Sequence, residues 1–160
     1  MTIRVALDTS LLVGLVDRRD TWHVQAKELR TALVELGAVI ILLDPVINEV
    51  VSVVARRFEE QHRLTQFSSV LTAFMQSTPP DAITWISGET QRLYPDILTL
   101  VGQHEGRLNF HDALIALACR EIEVEHIASF DRDFDHVQWL TRISRPEHLR
   151  QLDQPGDPVE

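Results

Sequence analysis

Cysteine is almost missing from this 160-residue sequence: Cys119 stands alone, which excludes an internal disulfide framework and any cysteine-rich metal site. Its setting, Leu117-Ala118-Cys119, is that of a small buried apolar residue and not of a nucleophile. The 7 histidines form no His-x-x-x-His pair, so a zinc site is not expected, and His111 reads as a helix-end residue. No apolar run, the Val39–Leu43 stretch included, is long enough to span a bilayer. The first residues reach an acid, Asp8, after a short apolar run and carry no signal-peptide cleavage pattern. The expected location is therefore the cytoplasm, without membrane contact. Glycine and proline are sparse, at 6 and 7, and no repeat, low-complexity block or internal linker interrupts the chain.

Positive charge is also short. Fifteen Lys and Arg face 24 Asp and Glu, a formal charge of −9, which at first sight argues against a nucleic-acid partner. Net charge does not say where the charges lie, however, and a cluster of carboxylates that binds cations would account for part of the excess. The segment 151–160 adds three acids and two prolines and is expected to be a disordered acidic tail. What remains, residues 1–150, has the length of one domain, and the 44% hydrophobic content is enough for a real core.

Strand-like and helix-like segments alternate along it. Ile3–Leu7 reads as a first strand ending at Asp8, with Thr9 or Ser10 capping a short helix through Asp17. A second helix begins at Thr21, carries Trp22, Ala26, Leu29, Leu33 and Leu36 at helical spacing, and stops at Gly37. Val39–Leu43 has the pattern of a strand buried on both faces of a parallel sheet. Asp44-Pro45 then starts a helix to about Glu60, and another runs from Leu64 to Gln76. Ala82–Ile86 reads as a short strand and Glu89–Gln103 as a helix disturbed at Pro95. Asn109 caps a helix reaching Ile122, with Asp112 three residues on in a box-like arrangement. Val124–Ser129 and Val137–Leu140 close the series as strands. This order implies an α/β fold: a mostly parallel sheet with right-handed crossovers and helices on both faces. Ligands of such sheets sit outside the strand C-termini, where the winding reverses.

Three acids fall at that edge: Asp8 after the first strand, Glu49 in the helix after the second, and Asp131 after the Val124–Ser129 strand. Asp112 joins them from the first turn of a very apolar helix. Each has a structural explanation by itself: a cap for Asp8, a solvated helix edge for Glu49, a favourable helix dipole for Asp112, an exposed acidic turn for Asp131. Their order and placement together are harder to explain that way.

Four segments, Val5–Ser10 (Val-Ala-Leu-Asp-Thr-Ser), Asn48–Val51 (Asn-Glu-Val-Val), His111–Ala118 (His-Asp-Ala-Leu-Ile-Ala-Leu-Ala) and Ala128–Phe134 (Ala-Ser-Phe-Asp-Arg-Asp-Phe), resemble the PIN-domain nuclease family. The resemblance runs from Ile3 to about Leu140. Within the family, Asp20-Thr-Trp-His23 and the helix after it look most like the toxin component of bacterial VapBC toxin–antitoxin pairs. The resemblance implies Mg²⁺ or Mn²⁺ held by Asp8, Glu49, Asp112 and Asp131, RNA phosphodiester cleavage, and a small antitoxin protein as partner. Ser129 stands where many relatives have threonine and keeps the hydroxyl. A two-fold homodimer is expected, since such dimers are the commonest soluble oligomer and the family often forms them, with contacts from the Val46–Gln76 helices.

Carboxylate oxygens and water are the ligands these ions prefer, so the chemistry suits the residues. Asp8 and Asp112 are assigned as principal ligands, with Asp131 completing the cluster directly or through water. Glu49 is a second ligand or orients the attacking water, and Asp133 is held in reserve for Asp131. Ser10 and Ser129 are expected to hydrogen-bond the ligands. Arg18-Arg19 and Arg56-Arg57 are solvated helix faces or contacts to phosphates or an acidic partner. Trp22, Phe67, Phe74, Trp85 and Trp139 are expected in the core or at an interface and not as base-stacking platforms.

Two other readings compete, besides an RNA-processing nuclease that is not a toxin. A catalytically weak binding scaffold has no need to gather mutually repelling acids. An aspartate-nucleophile phosphatase usually has a second acid two residues after the first, where this chain has Ser10.

Overall fold

Val5, Ala6 and Leu7 point alternately to opposite sides of a strand, yet all three are buried, so the first strand is covered on both faces. It is β1 (Arg4–Leu7) in a computed structural model that describes residues 2–152. The elements follow as α1 (Thr9–Val16), α2 (His23–Glu35), β2 (Val39–Leu43), α3 (Asp44–Glu60), α4 (Leu64–Ser77), β3 (Ile83–Thr84), α5 (Thr90–Gln103), α6 (Phe110–Glu121), β4 (His126–Ala128), β5 (Thr141–Ile143) and α7 (Pro146–Leu152). The five strands form one sheet in the order β3-β2-β1-β4-β5, and every pairing is parallel. The fold is therefore α/β, as the alternating pattern implied.

Winding runs outward from β1 through β2 to β3, then returns past β1 to β4 and β5. The reversal falls between β1 and β4, paired from Val5–His126 to Leu7–Ala128. Beyond that register the Asp8 N–H donates to the Ala128 carbonyl (3.0 Å) and the Ser129 N–H to the Ile143 carbonyl (3.0 Å). The helices pack largely on their sequence neighbours, α1 on α2, α3 on α4 and α5 on α6. Helix α6 goes deepest: every residue from Asp112 to Cys119 is buried. Among the described residues no helix is long and apolar enough to cross a membrane.

Several boundaries differ from the sequence reading. The Val137–Leu140 segment is not a strand; Val137 and Leu140 are buried at a turn in which the Leu140 N–H donates to the Val137 carbonyl. The last strand is Thr141–Ile143, where Arg142 pairs with Asp135 across the edge. The Ala82–Ile86 strand shrinks to Ile83–Thr84. In β2 only Ile41 and Leu43, which share one face of the strand, are buried, and Ile40 and Leu42 on the other face are half-buried. Trp22 and Trp85, expected in the core or at an interface, are 44% and 67% exposed, whereas Phe74 is buried. Helix α7 extends to Leu152, two residues into the segment read as a tail; the rest of that segment, 153–160, lies outside the described residues.

Two acids that stand at helix ends, as the sequence implied, also tie elements together. Asp17 and Arg63, both buried, form an ion pair (3.0 Å), and the Arg63 guanidinium lies 4.0 Å over the Phe58 ring. Asp44 is buried at the start of α3 and accepts the Ile86 N–H (2.5 Å), the Ser87 N–H (3.2 Å) and the Ser87 hydroxyl. Asp44→Ala removes the acceptor and leaves the buried Ile86 N–H unmatched, so a loss of about 1–3 kcal/mol is expected in urea unfolding. An unchanged midpoint would mean that water replaces the carboxylate.

Candidate active site

Asp8 is the last residue before α1 and, with extended backbone, is itself the cap of that helix, accepting the Ser10 N–H on Oδ2 (3.2 Å). Of the cap candidates Asp8, Thr9 and Ser10, it is Asp8 that takes the role. The hydroxyls of the other two do other work. Ser10 Oγ donates to Asp8 Oδ2 (2.7 Å), and Ser129 Oγ, arriving from the end of β4, donates to the same oxygen (2.7 Å). Behind them the Phe130 N–H donates to Ser10 Oγ (3.0 Å) and the Asp131 N–H to Ser129 Oγ (2.9 Å). The loop after β4 thus fixes both hydroxyls with their hydrogens directed at Asp8. Ser10 and Ser129 thus both hydrogen-bond the Asp8 carboxylate directly.

Thr9 reaches across to α3, where its hydroxyl donates to Glu49 Oε2 (2.8 Å). Sequence reasoning missed this contact. A hydroxyl next to a strand-end acid is a weak signal, and only the β1–β2 pairing shows that α3 lies within its reach. Asp131 caps the 3₁₀ turn Arg132–His136, accepting the Asp133 N–H on Oδ1 (2.9 Å). Asp133 therefore holds Asp131 in place through its backbone.

Asp112 sits in a reciprocal cap with Asn109. Its N–H donates to Asn109 Oδ1 (3.0 Å), and its Oδ2 accepts the Asn109 N–H (3.4 Å). The structural reading of this acid is thus correct as far as it goes. Its electrostatics go further. Burial pushes the Asp112 carboxyl up to about 7, and the charges of Asp8, Asp131 and Glu49 raise it too, against the Asn109 N–H, which lowers it. Asp8 is also raised, by burial, although its four hydrogen-bond donors pull the other way. Asp112 thus feels the charges of three acids that come from three other stretches of chain.

Among the described residues no three carboxylate, imidazole or thiol groups converge tightly enough to enclose a metal ion directly. Cys119 is buried behind the site, its thiol pushed up to about 12 by burial and by Asp8, which excludes a thiolate nucleophile. His111 contacts the Pro45 carbonyl (3.2 Å), as befits a helix-end residue. The rim carries an aromatic pair: Trp22, at the start of α2, stacks on Phe130 with ring centroids 4.7 Å apart and planes inclined by 10°.

A family model described as PIN domain matches residues 5–140. No curated protein sequence gives a significant match. Among solved structures, the chain is similar to VapC20 of Mycobacterium tuberculosis, described as a sarcin–ricin loop cleaving toxin, with 19% identity and a TM-score of 0.63 over 84% of this chain and 95% of that one. It is also similar to VapBC2 from Rickettsia felis bound to a DNA fragment from their promoter, with 15% identity and a TM-score of 0.62 over 88% and 98%. At such identities the likeness is one of fold.

Proposed function

The chain belongs to the PIN-domain family, and from that membership we propose that it is a metal-dependent ribonuclease, the toxin of a toxin–antitoxin pair. The observation that carries the proposal is the coupling of Asp112 to Asp8, Asp131 and Glu49. Repelling charges held together are unfavourable unless something neutralises them, and the donor set, all oxygen, suits Mg²⁺ or Mn²⁺. No three such side chains converge among the described residues, and Mg²⁺ keeps several waters, through which the acids that do not reach it directly would act. When bound, the ion supplies Lewis acidity: it lowers the pKa of a water and offsets charge on the phosphate.

The residues divide the remaining work. Asp8 and Asp112 would be the principal ligands, and Asp131, held by the Asp133 N–H, would complete the set directly or through water. Glu49, held by Thr9, would be a further ligand or would orient the attacking water. Ser10 and Ser129 favour the charged form of Asp8 against the effect of burial, and aim its carboxylate. Ser129→Ala is therefore expected to weaken Mn²⁺ binding by about 10- to 100-fold. Titrating Mn²⁺ against melting temperature checks this, and an unchanged midpoint would reduce Ser129 to a packing role.

The likeness in fold to VapC20, a sarcin–ricin loop cleaving toxin, and to VapBC2 supports the same reading. A small antitoxin is the proposed partner, and the cytoplasm, where RNA and antitoxin are met, the place of action. We also propose a homodimer through α3 and α4, whose outer surface exposes Leu64 and Met75 beside half-buried Val51, Phe67 and Val70. The test of function is cleavage of single-stranded and stem-loop RNAs with Mg²⁺, with Mn²⁺ and with EDTA. Cleavage unchanged by EDTA rejects the metal. No cleavage of any RNA with either ion rejects the enzyme and leaves a binding scaffold.

A further inference from the structure

The three tryptophans are placed very differently. Trp85 and Trp139 donate their indole N–H to the Pro80 and Ala116 carbonyls (3.1 and 2.8 Å). The Trp22 indole N–H has no partner among the described residues, and Trp22 is 44% exposed although one ring face lies against Phe130. Its backbone is fixed from both sides: its N–H donates to Asp20 Oδ1 (2.7 Å) and its carbonyl accepts from the Ala26 N–H (2.7 Å). Asp20 is anchored in turn by Arg57. The ring is thus a rigid, flat, half-exposed surface, not a side chain awaiting a core.

Its position gives that surface a use. Phe130, on which it rests, lies between Ser129 and Asp131, and its N–H donates to the Ser10 hydroxyl that holds Asp8. The stack is therefore built on the same loop as the acid cluster. Arg18 and Arg19, in the turn leading to Trp22, are exposed and form no ion pair among the described residues. In a chain of charge −9 they are cations available to a phosphate backbone at this rim.

We propose that Trp22, backed by Phe130, is a stacking platform for one unpaired nucleobase of the RNA and positions the strand over the acid cluster. This rests on the ribonuclease reading and adds a substrate-positioning residue to it. Every base has a π-face, so such a platform grips single-stranded RNA with little sequence preference, while flanking arginines hold the backbone.

The test is binding of a labelled single-stranded RNA of about 12 nucleotides, within the usual range of such sites, to the full chain in EDTA, where nothing is cut. Trp22→Leu keeps apolar bulk and removes the ring, and its Kd is expected to rise about 5- to 150-fold. Trp22→Phe keeps a flat ring over Phe130 and is expected to retain most of the affinity. A series of RNAs, each with one abasic position, isolates stacking without altering the protein. One position should weaken wild-type binding as much as Trp22→Leu does, and combining the two should cost nothing further. Equal Kd values for wild type and Trp22→Leu, or losses that add independently, overturn the proposal and mark Trp22 as a contact for a protein partner. A wild-type chain that cleaves RNA while Trp22→Leu binds it normally overturns this inference alone. One that neither binds nor cleaves RNA overturns the ribonuclease reading with it.

Discussion

Asp8→Asn is expected to lower RNA cleavage at saturating Mn²⁺ by at least about a thousandfold and to leave the fold intact. A bound ion contributes several kcal/mol to such a reaction, and each 1.36 kcal/mol is a factor of ten, which sets that scale. The substitution separates the two roles of this residue. As a helix cap, asparagine serves as well as aspartate. The donors around Oδ2, the Ser10 N–H and the Ser10 and Ser129 hydroxyls, also dictate how an asparagine would sit, with its carbonyl oxygen toward them and its amide away. That places an N–H₂ group, which cannot ligate a cation, where a carboxylate oxygen had been. Because burial already raises the Asp8 carboxyl, removing its charge also relieves a cost and does not open one. Single-turnover cleavage paired with a thermal melt reads both effects. Activity within tenfold of wild type, at an unchanged melting temperature, would make Asp8 a cap and nothing more.

Much of this site is legible in the chain because each acid sits beside a strong local signal. Asp8 ends an apolar run, Asp112 lies three residues after Asn109, and the Asp131 turn follows a strand whose core residues, Ile127 and Ala128, are fully buried. These signals depend on residues a few positions apart. Contacts between distant segments leave no such trace. Thr9 meets Glu49 across 40 positions, Ser129 meets Asp8 across 121, and Trp22 meets Phe130 only because the turn before α2 folds back over the sheet edge. The C-terminal elements were hard to read for another reason. Val137 and Leu140 look like strand residues since they are buried, but a turn buries them equally well. The true strand, Thr-Arg-Ile, is three residues long with a charged centre, below what alternation resolves. Helix α7 carries a legitimate start signal in Pro146, obscured by the polar composition that follows it.

Asp112→Asn is expected to lose nearly all cleavage and yet, in EDTA at pH 8, to melt at or above the wild-type temperature. Burial and the charges of Asp8, Asp131 and Glu49 raise the Asp112 carboxyl to about 7 from an ordinary 3.8. Between those values the folded protein holds a proton that the unfolded chain has released, so stability falls as pH rises through this window and levels off above it. At pH 8 the metal-free wild type carries the full repulsion, whereas asparagine carries none and still offers an oxygen to the Asn109 N–H. At pH 5 wild-type Asp112 is largely protonated, so the two melting temperatures should converge, with a shallower slope remaining in the mutant from Asp8, which is raised in the same sense. Mn²⁺ at about a hundred times its dissociation constant adds roughly 2.7 kcal/mol to the wild type, or about 5–11 °C for a chain of this size. The gain should be smaller in the mutant, which lacks one ligand, and smaller in the wild type at pH 5, where protons compete with the ion. A higher metal-free stability bought with lost activity is the trade-off expected of a site that gathers repelling charges. Melts at the two pH values, with EDTA and with Mn²⁺, and one RNA assay decide the matter. A mutant clearly destabilised in EDTA at pH 8 that still cleaves RNA would return Asp112 to the role its contact with Asn109 describes, an acid that closes the first turn of α6.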